Sequence, residues 1–203
     1  MTDLEQQLRE APAPQDLDSE SVIATLARRA AAAGLLDVAY GALDSPLGQL
    51  TVFVTPRGLL RVAYPNEQPD AVFSEVASRV SPRIVRAASR TDPARRELDA
   101  YFAGKRRSFD LAIDWSLVRG FATDVLRATA AIPFGEVTTY GSVARTAGSP
   151  RAARAAGNAL GSNPIPIVVP CHRVLHADGG LGGYSGGLDR KRYLLALEGH
   201  AAT

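Results

Sequence analysis

One cysteine stands in this chain of 203 residues, and it stands in Pro170-Cys171-His172-Arg173-Val174, directly behind the apolar run Ile165–Val169. A thiol beside an imidazole and a guanidinium is a setting for a nucleophile. A solvated cysteine is only about 3% thiolate at neutral pH, and neighbouring cationic or hydrogen-bonding groups raise that fraction. The competing reading is a small buried hydrophobe, the usual fate of a cysteine in an Ile/Val-rich stretch. The polar residues nearby favour chemistry. Asn158 and Asn163 precede Pro164-Ile165-Pro166-Ile167, a proline-punctuated segment that delivers the sulfur rigidly. Downstream, residues 179–187 are too rich in glycine for a helix or a central strand and read as a loop exposing the polar groups of Tyr184 and Ser185, a lid for a pocket. A phosphate cradle would need G-x-x-x-x-G-K-[ST], which is missing. Glu198 falls at the end of the last helical stretch, Asp189–Leu197, where a carboxylate opposes the helix dipole and so wants another partner. A metal site built on Cys171, His172 and His176 is disfavoured, because adjacent Cys and His cannot easily chelate one ion and no further cysteine exists.

The elements that must position these groups fall into two halves. Val38–Leu43, Leu50–Thr55 and Leu59–Tyr64 read as strands of a small antiparallel sheet, separated by Ser45-Pro46-Leu47-Gly48 and Pro56-Arg57-Gly58. Pro69–Val80 and Asp92–Ala103 read as helices, the second with Asp92 as cap, Pro93 at its first position and Gly104 as its stop. After Trp115 the sequence turns to Ala-rich helical segments: Phe121–Ala131, Thr138–Ala147, and Arg151–Leu160 opened by Ser149-Pro150. The last two flank a tight glycine turn, as in a helix-turn-helix. Ahead of both halves lies an acidic extension through about residue 20, then an amphipathic helix over Ser19–Ala33 with Val22, Ile23, Leu26 and Ala30 at helical spacing. The expected division is 1–36, 37–116 and 117–203.

Composition excludes several classes. With 46% hydrophobic and 22% charged residues the chain can build a core, and a lone cysteine permits neither an internal disulfide nor a four-cysteine zinc site. The N-terminus has no apolar signal region and no run approaches the ~18 apolar residues of a membrane span, so a cytoplasmic protein with no membrane partner is expected. A net charge of +2 is too mild to imply nucleic acid by itself, but it is segregated. Between Val137 and Ala177 there is no Asp or Glu, while Arg145, Arg151, Arg154 and Arg173 all fall inside. One positive face on a helix-turn-helix is the usual footprint of DNA binding. The helix around Arg154 is almost all Ala and Gly, which permits close approach to a groove with one long arginine reaching into the base stack. An Ala-rich helix buried against a neighbour explains the same composition.

Taken together, "PFGEVTTYG", "GSPRAARAAGNALGSNP", "IPIVVPCHRV", "GGLGGYSGG" and "KRYLLALEG" closely resemble the methylated-DNA–protein-cysteine methyltransferases, with weaker likeness upstream in "SPLGQL" and "LDAYFAGKRRSFDL". The resemblance implies an α+β fold: an N-terminal ribonuclease-H-like α/β domain, and a helical C-terminal domain with a winged-helix-like helix-turn-helix. It implies a repair protein that binds the minor groove of double-stranded DNA carrying alkylated guanine, flips out O6-alkylguanine (with O4-alkylthymine a further candidate), and moves the alkyl group irreversibly to Cys171, once per chain. Flipping is required because the alkylated oxygen lies inside the duplex.

By the same resemblance, His172 is a base acting through a water, Glu198 orients and charges the imidazole, and Asn163 holds the active-site turn. Arg154 fills the stack, and Tyr140 rotates the flanking phosphate and bonds the guanine ring. Tyr184 and Ser185 wall the pocket and donate to the guanine oxygen, while the carbonyls of Cys171 and Val174 accept from the exocyclic amine. Arg151 and Arg173 belong to the positive face. No cofactor is implied, the zinc of some relatives is not expected without its cysteines, and a monomer is expected that could cluster on DNA. Two rivals remain: a Cys171-His172-Glu198 hydrolase, which leaves the helix-turn-helix unexplained, and a protein that senses alkylated bases without repairing them, whose known members lack the cysteine.

Overall fold

Proline and glycine turns break the first half of the chain into strands that fold back on one another. In the computed structural model, which describes residues 36–200 together with Val22, Thr25, Arg29 and Gly34, strands β1 (Val38–Leu43), β2 (Leu50–Thr55) and β3 (Gly58–Ala63) form an antiparallel meander. A short strand β4 (Ile84–Arg86), behind Ser81-Pro82, joins the other edge of β1 in parallel, giving the order β3-β2-β1-β4. The sheet is therefore mixed, not antiparallel. Three residues flanked by proline and arginine carry too little periodicity to announce a strand. Val22, Thr25 and Arg29 are helical, but the rest of the helix expected over Ser19–Ala33 lies outside the described residues, as does the acidic extension.

Helix α1 (Pro69–Arg79) carries proline in its first turn and buries Val72 and Val76 against one sheet face with Val38, Phe53 and Leu60. Helix α2 (Ala88–Phe102) covers the other face and begins a turn before the predicted Asp92 cap. Its start is fixed from outside, since the Ala87 N–H donates to the Tyr40 carbonyl of β1 at 3.0 Å. Pro93 is consequently inside the helix, early enough to forfeit a single backbone bond. Ala94, Leu98 and Tyr101 face inward at positions i, i+4 and i+7.

After a 3-10 turn at Trp115–Leu117 come α3 (Phe121–Ala130), the two-residue strand β5 (Thr138–Thr139), α4 (Tyr140–Thr146) and α5 (Ala153–Gly161). A second 3-10 turn (Cys171–Arg173), β6 (Val174–Leu175) and α6 (Leu188–Leu197) complete the described chain. Helix α4 is capped by Thr139, whose hydroxyl accepts from the Ser142 N–H. It ends at Gly148 (φ 81°), where Gly148 N–H reaches Arg145 O and Ser149 N–H reaches Ala144 O. Ser149 and Pro150 sit in the turn rather than capping α5, so Arg151 precedes that helix and Arg154 opens it. Ala156, Ala159 and Leu160 pack inward while Arg154, Ala155 and Asn158 face out, so the Ala-rich composition serves both burial and an open face.

One hydrophobic core runs through both halves, from Leu50, Val52 and Tyr101 to Val125, Ile165, Val169 and Leu194. The free edge of β3 is covered at Leu59 by residues 112–114, and the Val62 N–H donates to Pro164 O at 2.9 Å. The segment leading to Cys171 is thereby bonded to the sheet. Among the described residues no helix is long and apolar enough to cross a membrane.

Candidate active site

The run Ile165–Val169 is not a strand. It winds through tight turns, Val168 N–H to Pro166 O, Val169 N–H to Ile165 O and Cys171 N–H to Val169 O, and Ile167 adopts a left-handed φ of 75° while fully buried. Asn163 organises this segment: its Oδ1 accepts from the Ile165 N–H, and its Nδ2 donates to Val169 O at 2.9 Å and to the Cys171 sulfur at 3.2 Å. Beyond the sulfur, β6 pairs in parallel with β5, matching Thr138 with Val174 and Thr139 with Leu175. The residues that cap α4 are thus fastened to those that follow the thiol.

Helix α6 brings Glu198 to the same place. Its carboxylate accepts from His172 Nε2 (3.0 Å), from Arg173 Nε and Nη2 (2.8 Å each), from the Tyr101 hydroxyl (2.6 Å) and from the Gly135 N–H (3.4 Å). The unfavourable helix-end carboxylate of the sequence has its reason here. These donors hold the Glu198 carboxyl well below the usual carboxylate range despite its burial. An ionised carboxylate only accepts, so His172 must carry its proton on Nε2, which leaves Nδ1 with a bare lone pair. Nδ1 is buried and has no partner among the described residues. Burial lowers the His172 pKa, so the imidazole rests neutral.

Two corrections to the sequence reading follow. Arg173 is 5% exposed, binds Glu198 and the Ile132 carbonyl, and lies over the Phe134 ring, so it contributes nothing to an outward positive face. Its neighbours on the chain placed it among basic residues, but a guanidinium beside a buried carboxylate is held there by charge. The Cys171 thiol is also pushed up rather than down, because burial outweighs the help of Asn163, Lys191 and the Tyr184 hydroxyl. At rest the sulfur is a thiol, and a base is needed to ionise it.

A cleft of about 610 Å³ opens beside this network, lined by Tyr140, Arg154, Gly157, Asn158, His176, Tyr184 and Ser185. Sequence reasoning named Tyr140, Arg154, Tyr184 and Ser185 separately; the fold brings them onto one cleft. Tyr184 is half-buried rather than exposed, since its hydroxyl meets that of Tyr64 at 2.7 Å. Arg145, Arg151 and Arg154 are exposed, and Arg151 and Arg154 have no partner among the described residues. The Val174 carbonyl already accepts from Lys191 Nζ at 2.7 Å, which uses one of its two lone pairs.

The comparisons with known proteins converge on one family. Residues 38–115 match the ribonuclease-like domain of 6-O-methylguanine DNA methyltransferase, and residues 120–200 match its DNA binding domain. A methylated-DNA–protein-cysteine methyltransferase of Mycolicibacterium paratuberculosis is 44% identical over 165 residues, spanning 79% of this chain and 92% of that protein. The chain belongs to the 6-O-methylguanine DNA methyltransferase family. A relative in Methanosarcina acetivorans is 39% identical over 165 residues, 79% of this chain and 97% of its own length. The crystal structure of Mycobacterium tuberculosis OGT in complex with DNA is 41% identical, covers 79% of this chain and 92% of that one, and superposes with a TM-score of 0.66.

For this methyltransferase-family chain the fold supplies groups that sequence reasoning missed. Lys191, fully buried in α6, clamps the Val174 and Leu181 carbonyls, and burial lowers its ammonium to about 8. Tyr101 reaches Glu198 from the other half of the molecule. His200 Nε2–H donates to the Gly135 carbonyl (2.7 Å), tying the end of α6 to the Pro133-Phe134-Gly135 turn. Gly182 shapes the cleft rim: it has a φ of 67°, and a Cβ there would come within 2.4 Å of the Tyr140 hydroxyl and 3.2 Å of His176 Nε2. Gly182→Ala is expected to displace that hydroxyl and slow alkyl transfer about tenfold, an activation change of about 1.4 kcal/mol, with DNA affinity within a few-fold of wild type. Single-turnover kinetics beside a binding titration check it, and an unchanged rate would mean that the Tyr140 hydroxyl is not used.

Proposed function

We propose that this protein repairs DNA by moving the alkyl group of a flipped O6-alkylguanine onto Cys171, once per molecule. The observation that carries the reading is the buried thiol held by Asn163 beside a neutral His172 whose Nδ1 is bare and whose Nε2–H is committed to Glu198. His172 Nδ1 takes the thiol proton through a bridging water, and Glu198 stabilises the imidazolium that forms. The thiolate attacks the alkyl carbon, the carbon–oxygen bond breaks, and its electron pair goes to the guanine oxygen. Ser185 and Tyr184 donate toward that oxygen, Tyr140 bonds the guanine ring, and the Cys171 and Val174 carbonyls receive the exocyclic amine. A thioether is a poor leaving group, so the sulfur is not regenerated. The chain divides as 1–36, 37–116 and 117–203 in this proposal, acts as a monomer in the cytoplasm, and needs no cofactor.

The test is intact-protein mass spectrometry after incubation with duplex oligonucleotide carrying O6-methylguanine. One methyl group on Cys171, with product never exceeding one equivalent of protein, is the expected result. Turnover with unmodified protein would mean a hydrolase, and neither product nor modification would mean a sensor.

DNA engagement separates Arg151 from Arg154. In this reading Arg154, which lines the cleft at the start of α5, fills the space left by the flipped base, and Arg151, in the turn before that helix, meets phosphate. Unstacking costs a few kcal/mol, so Arg154→Ala should slow repair of duplex DNA far more than reaction with the free alkylated base. Arg151→Ala should weaken binding to all sequences and reduce the salt slope by about one unit. If Arg154→Ala slows both substrates equally, the residue supports the pocket and not the flip.

A further inference from the structure

The cleft wall that carries Tyr184 has little conformation of its own. Six of the nine residues from Gly179 to Gly187 are glycine, so the chain there has wide backbone freedom and its position must be imposed from outside. The restraints come from the N-terminal half. Tyr64, just past β3, is 3% exposed, and its N–H donates to Glu67 Oε1 at 2.8 Å, while Glu67 Oε2 in turn accepts from Arg61. With its backbone fixed, its hydroxyl shares a 2.7 Å hydrogen bond with the Tyr184 hydroxyl, and the two rings meet edge to face at 6.1 Å. Arg190, in the first turn of α6, closes the arrangement. Its guanidinium lies 5.3 Å from the Tyr64 ring centre and donates to Gly186 O in the loop, and to Leu47 O and Asn66 Oδ1 in the N-terminal half. Gly186 fits tightly between the two tyrosines, where a Cβ would fall 2.6 Å from Tyr64 and 2.9 Å from Tyr184.

We propose that Tyr64 and Arg190 are positioning residues that hold the Tyr184 wall against the cleft and thereby set how large an alkyl group the site admits. This rests on the alkyl-transfer reading above. A methyl group fills little space and needs the wall close to the sulfur for contact. A benzyl group needs the wall to retreat. Releasing the wall therefore disfavours the small group and favours the large one, whereas a general weakening of the fold slows both alike.

The experiment uses the full chain and measures single-turnover alkylation of Cys171 with O6-methylguanine and O6-benzylguanine oligonucleotides of one sequence. Tyr64→Phe keeps the ring and removes the hydroxyl; it should slow methyl transfer about two- to tenfold, the worth of one hydrogen bond, and raise the benzyl-to-methyl rate ratio at least about threefold. Arg190→Gln, which leaves both tyrosines in place, should move the ratio the same way. Adding Tyr64→Phe to Tyr184→Phe should change the ratio no further, because the second hydroxyl has already lost its partner. An unchanged ratio in both Tyr64→Phe and Arg190→Gln, or proportional slowing of both substrates, overturns the proposal. Failure of wild type to accept either group would instead overturn the alkyl-transfer reading on which it stands.

Discussion

Replacing Cys171 with alanine should abolish alkyl acceptance and leave DNA affinity within a few-fold of wild type. The two halves of that expectation come from different parts of the molecule. Cys171 is 5% exposed and its sulfur is bonded inward to Asn163, so it makes no contact that phosphate binding could lose. In the proposed reading affinity rests instead on cations such as Arg145, Arg151 and Arg154, which are exposed. Acceptance has no substitute, because no second thiol exists in the chain. The stability cost should be small, since alanine removes one atom from a packed site and frees one Asn163 donor that keeps its bond to Val169 O. Mass spectrometry and a DNA titration on the same preparation decide it. Residual alkylation would place the acceptor elsewhere.

Glu198→Gln should both slow transfer strongly and destabilise the fold, and the two effects are separable by pH. The carboxylate neutralises Arg173, which is buried with it, so the amide leaves a buried guanidinium unpaired at a cost of roughly 3 to 5 kcal/mol. It also removes the acceptor that stabilises a charged His172 during thiol ionisation. Because the two residues act as one unit, His172→Ala and Glu198→Gln together should slow transfer by less than the product of their separate effects. The folded-state pKa of Glu198 lies below its ordinary 4.5, so the stability it contributes is present above that value and drains away as pH falls through the folded one. His172 is likewise lowered from 6.5, so the unfolded chain takes its proton first and stability begins to fall below that pH. Wild type should therefore lose stability in two stages on acidification, and the variant should lose less in the lower one, where Asp37 and Asp114, also held below their ordinary range, still contribute. An identical profile below pH 4.5 would show that Glu198 is not held ionised.

Much of this site could be read from residue types, and what could not be read has physical causes. Cys171 stood out as a lone thiol beside an imidazole and a guanidinium, and Glu198 as a carboxylate opposing a helix dipole, while the roles of Asn163 and His172 came from the family resemblance. Arg173 was misassigned because charge along a chain does not tell which way a side chain points. Lys191 is the instructive miss: Lys191, Leu194, Leu195 and Glu198 fall at i, i+3, i+4 and i+7, one face of the last helical stretch, and Glu198 had already been singled out as wanting a partner. Long basic side chains are so rarely buried that composition overrides spacing in such a reading. Tyr64 and Tyr101 were placed only in a strand and a helix, and their hydroxyls meet Tyr184 and Glu198 across contacts 120 and 97 residues apart, which no local pattern encodes. In the fold itself, β1 and β2 followed from turn chemistry, whereas β4 and the start of α2 depended on the sheet they join.

The left-handed backbone of Ile167 bears on when the reactive group comes into being. A β-branched residue in that region is disfavoured by about 1 to 2 kcal/mol, so a free chain of this sequence spends little time in the turn that presents the sulfur. Ile167 is fully buried, and the packing that holds it comes from both halves of the protein. The turn that presents the sulfur therefore depends on a core to which both halves contribute, and a chain in which they have not packed lacks the geometry around Cys171. In the proposed reaction the acceptor site is thus completed by the same packing that completes the fold.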